Sequence, residues 1–200
     1  MPKDLRILDT RIAGRFREPK PTDIYVGSTR SLDWLMKEVA KVLGKDRIQR
    51  LSVCCHGYET VIADPQAMIS RVRGGFGLEL GQDGVNFDTV SAFSALSGKF
   101  AANGMLDVYS CAAADDSSDK TNGGFTGNGQ LLMRELAGHV GVIVRASDAT
   151  QYYSHGVVSY AFGLYTTYQG ADFGDWEGNV WMFCPDGSTK KDKSPGHGVR

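Results

Sequence analysis

The fold is decided by two apolar stretches, LSVCCHG at residues 51–57 and MLDVYSC at residues 105–111. Continuous apolar runs of this kind are typical of β-strands that are buried on both faces, as in a parallel sheet. Each run ends in a reactive side chain, His56 in the first and Cys111 in the second. If the two strands are parallel neighbours, both side chains emerge at the same edge of the sheet, where ligands bind in open α/β folds.

Outward from these runs, strand and helix patterns alternate along the chain. Apolar residues at helical spacing predict a helix over 31–43, with Ser31 or Thr29 as its N-cap and Gly44 as its end. Further helices are predicted over 88–102 and 130–137, strands over 23–27, 48–55, 105–110, 139–146 and 179–184, and a small hairpin over 76–81 and 84–87. The alternation predicts an α/β protein, a three-layer α/β/α sandwich around a mostly parallel sheet.

The chain is expected to form one domain. Its 200 residues are close to the length of a single ordinary domain, and no linker rich in Pro or Ser divides it. We assign residues 1–185 to this domain and residues 186–200 to a polar, flexible tail. The 25 glycines indicate many tight turns and close backbone approaches.

Charge and hydropathy restrict the class of function. The 22 basic and 23 acidic residues leave a formal net charge of −1, so binding of nucleic acid through a broad basic surface is not expected. No apolar run approaches the ~18 residues that cross a bilayer, and residues 1–20 lack the apolar core of a signal peptide. We therefore expect a cytoplasmic protein without membrane contact; delivery by a specialised secretion system is the alternative.

The cysteines fit a reducing compartment. Cys54 and Cys55 are adjacent within an apolar run and the chain has no CxxC motif, so neither a disulfide framework nor a zinc site is indicated. Both are expected to be core thiols, because adjacent strand residues face opposite sides of a sheet and at most one could approach a site. Cys184, in an aromatic strand, is expected to be a core thiol as well. Cys111 remains as the candidate nucleophile.

A thiol beside an imidazole forms an activated nucleophile. His56 would take or share the proton of Cys111, and the thiolate would attack a carbonyl carbon. Gly57 allows the backbone to turn sharply and approach a substrate, and its N–H, with the N–H of Cys111, could stabilise the oxyanion that develops. If Cys111 and His56 are not catalytic, they are a buried thiol and a structural histidine.

The sequence resembles the caspase-like cysteine peptidases (clan CD), and most closely the bacterial caspase-like domains of the CHAT type. The resemblance is carried by LSVCCHGYE and MLDVYSCAAA, followed by GNGQLLMRELAG and VGVIVRASDATQ, and covers residues 23–153. His56 and Cys111 are 55 positions apart, in agreement with the caspase spacing of about 50. The caspase signature Gln-Ala-Cys-Arg-Gly is replaced by YSCAA at 109–113, so caspase substrate specificity is not transferred.

The resemblance implies which residues bind substrate. In clan CD the segment after the third strand lines the pocket for the residue before the cleaved bond. Asp148, with Ser147 beside it, is then the candidate that selects a basic side chain, unless Asp148 is only a turn residue. Arg145 would instead select acidic substrates, or neutralise Asp148. His155 is the rival histidine for Cys111.

An acidic loop follows Cys111. Residues 115–119 form a solvated flexible loop in the simplest interpretation. The caspase resemblance suggests a self-cleavage or gating loop, with Lys120 as a candidate cleavage point. A calcium site is the third interpretation, although the loop lacks EF-hand spacing.

The function that the sequence predicts is that of a cysteine endopeptidase, which forms a thioester at Cys111 and cleaves a protein or peptide substrate, in one version after a basic residue. No cofactor or metal is expected, and a partner or activator protein is a further expectation. Two alternatives stay open. One is a non-catalytic caspase-like module that binds a protein. The other is a delivered, toxin-like enzyme that uses the same dyad for acyl transfer.

Overall fold

The structure of the protein is a computed structural model. It describes residues 1–199 except 59, 65–68, 74, 117–120, 123–124, 155–157, 162–163 and 168–169. In the short strands within 60–73, 121–126 and 158–167 it describes the backbone only.

The strands and helices alternate through the first three quarters of the chain. The strands are, in chain order, β1 Pro2–Asp9, β2 Asp23–Val26, β3 Arg47–Cys54, β4 His56–Gly57, β5 Thr60–Asp64, β6 Ile69–Arg73, β7 Leu78–Glu79, β8 Phe100–Tyr109, β9 Thr121–Asn122, β10 Phe125–Thr126, β11 Ile143–Ser147, β12 Val158–Ala161, β13 Leu164–Thr167, β14 Val180–Phe183 and β15 Thr189–Asp192. The α-helices are α1 Leu32–Leu43 and α2 Gly129–Val140, and Val90–Leu96 form a 3₁₀ helix.

Seven strands form the central sheet in the order β15-β14-β11-β8-β3-β1-β2. The five strands from β2 to β11 are parallel, and β14 and β15 add an antiparallel edge. The remaining short strands form four two-stranded pairs outside this sheet. The prediction of an α/β protein with a mostly parallel sheet is thus confirmed.

The strand order explains where the helices lie. The chain passes from β2 to β3, from β3 to β8 and from β8 to β11 always in the same direction across the sheet. Because parallel crossovers are almost always right-handed, three crossovers in one direction place their helices on one face. Accordingly α1, the 3₁₀ helix and α2 share a single apolar core with that face of the sheet, which we call the helix face.

Both α-helices begin and end at residues that suit those positions. The Ser31 hydroxyl accepts the Trp34 N–H at the start of α1, and the Asn128 side chain accepts the Leu131 N–H at the start of α2. Gly44 and Gly141 end the two helices at φ values of 60° and 72°, which glycine adopts without steric cost. The predicted limits of the first helix, its Ser31 cap and its glycine end are confirmed.

The opposite face, which we call the second face, is covered differently. The step from β1 to β2 runs in the reverse direction across the sheet, so a right-handed connection lies on this side. Residues 10–22 accordingly bring Ile12 and Phe16 into an apolar cluster with Tyr109, Phe173 and Val199. No helix covers the second face in the described part of the chain; irregular segments do.

The sequence prediction differs from the structure at three elements. Strand β1 was not predicted. The predicted helix over 88–102 is the 3₁₀ helix Val90–Leu96, and strand β8 already begins at Phe100. The segment 186–200, assigned to a flexible tail, contributes strand β15 to the sheet, and its Val199 is buried in the second-face cluster.

Candidate active site

The two strand ends that carry His56 and Cys111 are neighbours and lie in register. Strands β3 and β8 pair in parallel, and Cys54 at the end of the first lies beside Tyr109 at the end of the second. His56 and Cys111 each follow two residues later. Both therefore leave the sheet at its carboxyl edge, at matching positions of adjacent strands.

Gly57 lies directly against the backbone of Cys111. A Cβ atom at Gly57 would be 2.1 Å from the carbonyl oxygen of Cys111 and 3.0 Å from the Ser110 hydroxyl oxygen. No real Cβ contact is that short, so only glycine allows this approach. The requirement for glycine after His56 thus comes from its contact with the residue that carries the thiol.

Cys111 opens a strained turn at the end of β8. Ala112 has a φ of 47°, and it is the only non-glycine residue with positive φ in the described part of the chain. The Ala112 N–H donates to Ala149 O at 2.9 Å and the Ala114 N–H to Ser147 O at 2.8 Å, which ties the turn to the end of β11. Strained backbone of this kind is concentrated at functional sites.

The thiol of Cys111 is partly exposed and lies beneath the segment that follows β11. It donates a weak hydrogen bond to Gln151 O at 3.7 Å. Two residues further on, the Tyr153 ring packs edge-on against the His56 ring, with centroids 6.2 Å apart. Residues 151–153 therefore contact both members of the predicted dyad.

A cavity of about 390 Å³ opens beside Tyr153. Its lining includes Ser154 and Asp172, which exchange two backbone hydrogen bonds with each other. The Asp172 carboxylate forms an ion pair of 2.8 Å with Arg17. Tyr153 therefore contacts both this cavity and the His56 ring.

The orientation of the Gly57 N–H follows from the pairing of β4 with β7. His56 pairs with Glu79 and Gly57 with Leu78 in an antiparallel ladder, and the Tyr58 N–H donates to Gly77 O at 3.0 Å. Hydrogen-bonded and non-hydrogen-bonded pairs alternate in such a ladder. The Gly57 N–H therefore faces away from β7.

Cys54 and Cys55 are core thiols, as the sequence predicted. Both are buried, and burial raises the pKa of each well above its usual value. Neither can supply a thiolate near neutral pH. Cys184 is partly exposed and not a core thiol, because strand β14 ends one residue before it.

Arg145 does not reach the predicted cleft. It is buried in the middle of the second face, where Nε and Nη2 donate to both carboxylate oxygens of Asp107 at 2.7 Å. Its Nη1 donates to Asp192 at 3.1 Å and to Pro195 O at 2.9 Å. The prediction that Arg145 selects acidic substrates or neutralises Asp148 finds no support, since every guanidinium nitrogen is held within the protein.

Ser147 and Asp148 fasten the end of β11 to its surroundings. The buried Ser147 hydroxyl donates to Glu177 O and accepts the Ala149 N–H at 3.1 Å. One Asp148 oxygen accepts the Asn179 N–H, and the other accepts from the Asn179 amide and the Trp181 indole, at 2.9 to 3.1 Å. A carboxylate with three internal donors is structural here, so the role of Asp148 in basic specificity is also unsupported.

Two further predictions lie outside the described residues. His155 is one of them, and most of the acidic loop with Lys120 is the other. At the start of that loop Asp116 accepts a hydrogen bond from Gln130 at 2.9 Å. Within the described residues, no three His, Cys, Asp or Glu side chains are grouped as a metal site would require.

Sequence reasoning missed the contacts that surround the dyad. Gln151, Tyr153 and the strained Ala112 were not predicted to belong to the site. The periodicity of VGVIVRASDATQ indicated where strand β11 ends, but no local pattern shows that the chain then folds back over the neighbouring strands. The need for glycine at position 57 is likewise not visible in the local sequence, because it comes from a contact with Cys111, which is far away along the chain.

The chain matches no family model, no curated protein and no solved structure. In the described segments, no helix has both the length and the apolar character that crossing a membrane requires. The interpretation of the site therefore depends on its own geometry.

Proposed function

We propose that the protein is a cysteine endopeptidase that uses Cys111 as nucleophile and His56 as its proton-transfer partner. The observation that carries the proposal is the contact of Gly57 with the backbone of Cys111 at the common carboxyl edge of β3 and β8. This contact holds His56 next to the residue that bears a partly exposed thiol, which supports a thiol–imidazole pair as the reactive group.

The reaction proceeds through a thioester. The Cys111 thiol transfers its proton to His56, the thiolate attacks the carbonyl carbon of the scissile peptide, and the carbonyl oxygen becomes an oxyanion. The tetrahedral intermediate collapses as its C–N bond breaks, and His56 gives a proton to the leaving amine. A water molecule then attacks the thioester, which releases the carboxylate product and returns the thiol.

The N–H groups of Gly57 and Cys111 are the donors that we assign to the oxyanion. The Gly57 N–H faces away from β7 and is thus available on the side of β4 that does not carry the ladder. A donor of this type contributes about 10²–10³ to the rate. A substrate preference for basic residues is not part of the proposal, because Asp148 already accepts three internal hydrogen bonds.

A caspase-like fold is part of the same proposal. It is supported by the order of the parallel strands, by the placement of the His-Gly and Ser-Cys segments at adjacent strand ends, and by α2 between the cysteine strand and the next one. The third helical layer of an α/β/α sandwich has no counterpart among the described residues, where residues 10–22 and the C-terminal segment cover the second face.

A peptide probe with an electrophilic warhead tests the proposal. Cys111 and Cys184 are both partly exposed, so Cys184 is the internal reference for unactivated thiols. We expect the probe to label Cys111 at least ~10²-fold faster than Cys184, as judged by mass spectrometry of the tryptic peptides. Labelling at Cys111 should disappear in Cys111→Ala and slow strongly in His56→Ala, while the rate at Cys184 stays the same.

The same experiment separates the alternatives. Equal labelling rates at Cys111 and Cys184 would contradict catalysis and favour a module that binds protein without cleaving it. Fast labelling of Cys111 without turnover of any member of a peptide library would favour an acyl substrate other than a peptide. Turnover that depends on both Cys111 and His56 would support the peptidase.

A further inference from the structure

A second cavity opens on the second face of the sheet, away from the dyad. Its volume is about 410 Å³. Asp4 of β1 and Arg50 and Ser52 of β3 line its floor, and Glu18 and Lys20 of the connection between β1 and β2 line its wall. The size falls in the range of small-molecule sites, and the lining is charged.

Ser52 is a buried polar side chain on the cavity floor. It is 2% exposed, and its neighbours Leu51 and Val53 point into the core on the helix face. Its own side chain therefore points to the second face, into the cavity. No hydrogen bond to its hydroxyl is found among the described residues. Because Ser52 lines the cavity, its hydroxyl can form a hydrogen bond with a molecule bound there.

Arg50 and Asp4 carry opposite charges side by side on this floor. They are direct neighbours in the register of β3 and β1. Arg50 Nε is 3.6 Å from an oxygen of Asp107, but both oxygens of that carboxylate are already held at 2.7 Å by Arg145. Among the described residues, Arg50 Nη2 has one hydrogen-bond partner, the Met105 sulfur at 4.0 Å. Asp4 forms no ion pair within the described part of the chain. Each charge thus has room for an external partner.

We propose that this cavity binds a free α-amino acid. Arg50 and the Ser52 hydroxyl hold the carboxylate by charge-assisted hydrogen bonds, and Asp4 holds the ammonium group. Asp4 and Arg50 project from neighbouring strands whose backbones lie about 4.8 Å apart, so a ligand that contacts both must carry its two opposite charges close together. An α-amino acid satisfies this requirement, whereas the terminal charges of an extended peptide are too far apart.

Titration calorimetry and thermal unfolding with the twenty L-amino acids test the proposal. We expect saturable binding of at least one amino acid, with a rise in Tm. Its N-acetyl derivative lacks the ammonium charge and its methyl ester lacks the carboxylate, so each should bind at least ~10-fold more weakly. Equal binding of the acid and either derivative would overturn the proposal, as would the absence of binding by all twenty.

Variants locate the site. Arg50→Gln and Ser52→Ala should each weaken binding by ~10-fold or more, and Lys41→Gln on the exposed side of α1 is the control that should bind like the unchanged protein. Cys111→Ala should also bind normally, because the cavity lies away from the dyad. Unchanged affinity in both Arg50→Gln and Ser52→Ala would show that any binding is elsewhere and would overturn the proposal.

Discussion

The two faces of the central sheet are stabilised by different interactions. The helix face is apolar, with aliphatic side chains of every parallel strand packed against the three helices. The second face carries a row of polar residues with buried side chains, in register across five strands, namely Asp23, Arg6, Ser52, Asp107 and Arg145. The charges in this row are paired at 2.7 Å. The helix face is therefore stabilised by burial of apolar surface, whereas the second face combines an apolar cluster with paired charges.

Polar side chains in the middle of the second face have a structural role, whereas those at the carboxyl edge of the sheet are available for reaction. In the middle of the second face each buried charge has its partner inside the protein, as Arg145 has Asp107. At the carboxyl edge, two residues beyond the paired ends of β3 and β8, His56 and Cys111 are only partly buried. Position along the strand, more than residue type, thus decides which polar groups are available for chemistry.

The largest effect on stability is expected from breaking the buried charge row. Arg145→Met leaves the Asp107 carboxylate buried without its main partner, and removal of one member of a buried pair costs about 3–5 kcal/mol. Urea unfolding should show this loss in the free energy of unfolding. Labelling of Cys111 by the peptide probe should persist in the fraction that remains folded.

The double variant Arg145→Met with Asp107→Leu is the matched control. It removes both charges and should recover most of the stability, because apolar replacement of a whole buried pair is often neutral. If the free energy of unfolding of the single variant Arg145→Met were within about 0.5 kcal/mol of that of the unchanged protein, the stability of the second face would not depend on charge pairing.

Gly57→Ala tests whether the reactivity of Cys111 depends on the close contact of Gly57 with the Cys111 backbone. The new Cβ would lie 2.1 Å from the Cys111 carbonyl oxygen, so the backbone at His56 or at Cys111 must shift. A displacement of about 1 Å in a catalytic arrangement can cost ~10²-fold in rate, and we expect labelling of Cys111 by the peptide probe to slow by that factor.

Gly138→Ala in α2 controls for the added methyl group. No atom lies within 4 Å of a Cβ at Gly138, and alanine in a helix interior stabilises by about 1 kcal/mol relative to glycine. This variant should label at the normal rate. If Gly57→Ala labels as fast as Gly138→Ala, the contact of Gly57 with Cys111 has no role in the site.

The sequence predicted the elements that depend on local pattern. Apolar runs located β3 and β8, and Ser31 with Gly44 located α1, because caps and periodicity are local properties. Strand β1 was not predicted from the sequence, because its apolar stretch is short and is preceded by charged residues. The partners of Arg145 and Asp148 were also unpredictable, since they come from segments at least 30 residues away. Both residues were assigned to substrate binding because the resemblance to clan CD peptidases implies a substrate pocket near the end of this strand.

The backbone strain at Ala112 should make its replacement by glycine less destabilising than the same replacement at the neighbouring Ala113. Both are buried, but only Ala112 has a positive φ, 47°. Replacing Ala113 by glycine should cost about 1 kcal/mol through the greater freedom of the unfolded chain. Ala112→Gly should cost less or stabilise, because glycine also removes the steric strain. Equal losses in urea unfolding would contradict strain at the turn.

The smallest effect on stability is expected when a surface ion pair is removed, in contrast to the buried pair of Arg145. Lys3 Nζ lies 2.8 Å from Asp46, and its hydrogen bond lowers the pKa of that carboxyl to about 2. Since the unfolded value is about 3.9, the contribution is present above that pH and disappears as the pH falls through about 2. Asp46→Asn should therefore lower Tm slightly at pH 7 and leave it unchanged near pH 1.5. The expected effect is small because exposed ion pairs contribute little to stability. If Asp46→Asn lowered Tm at pH 7 as much as Arg145→Met does, burial would not distinguish the two ion pairs.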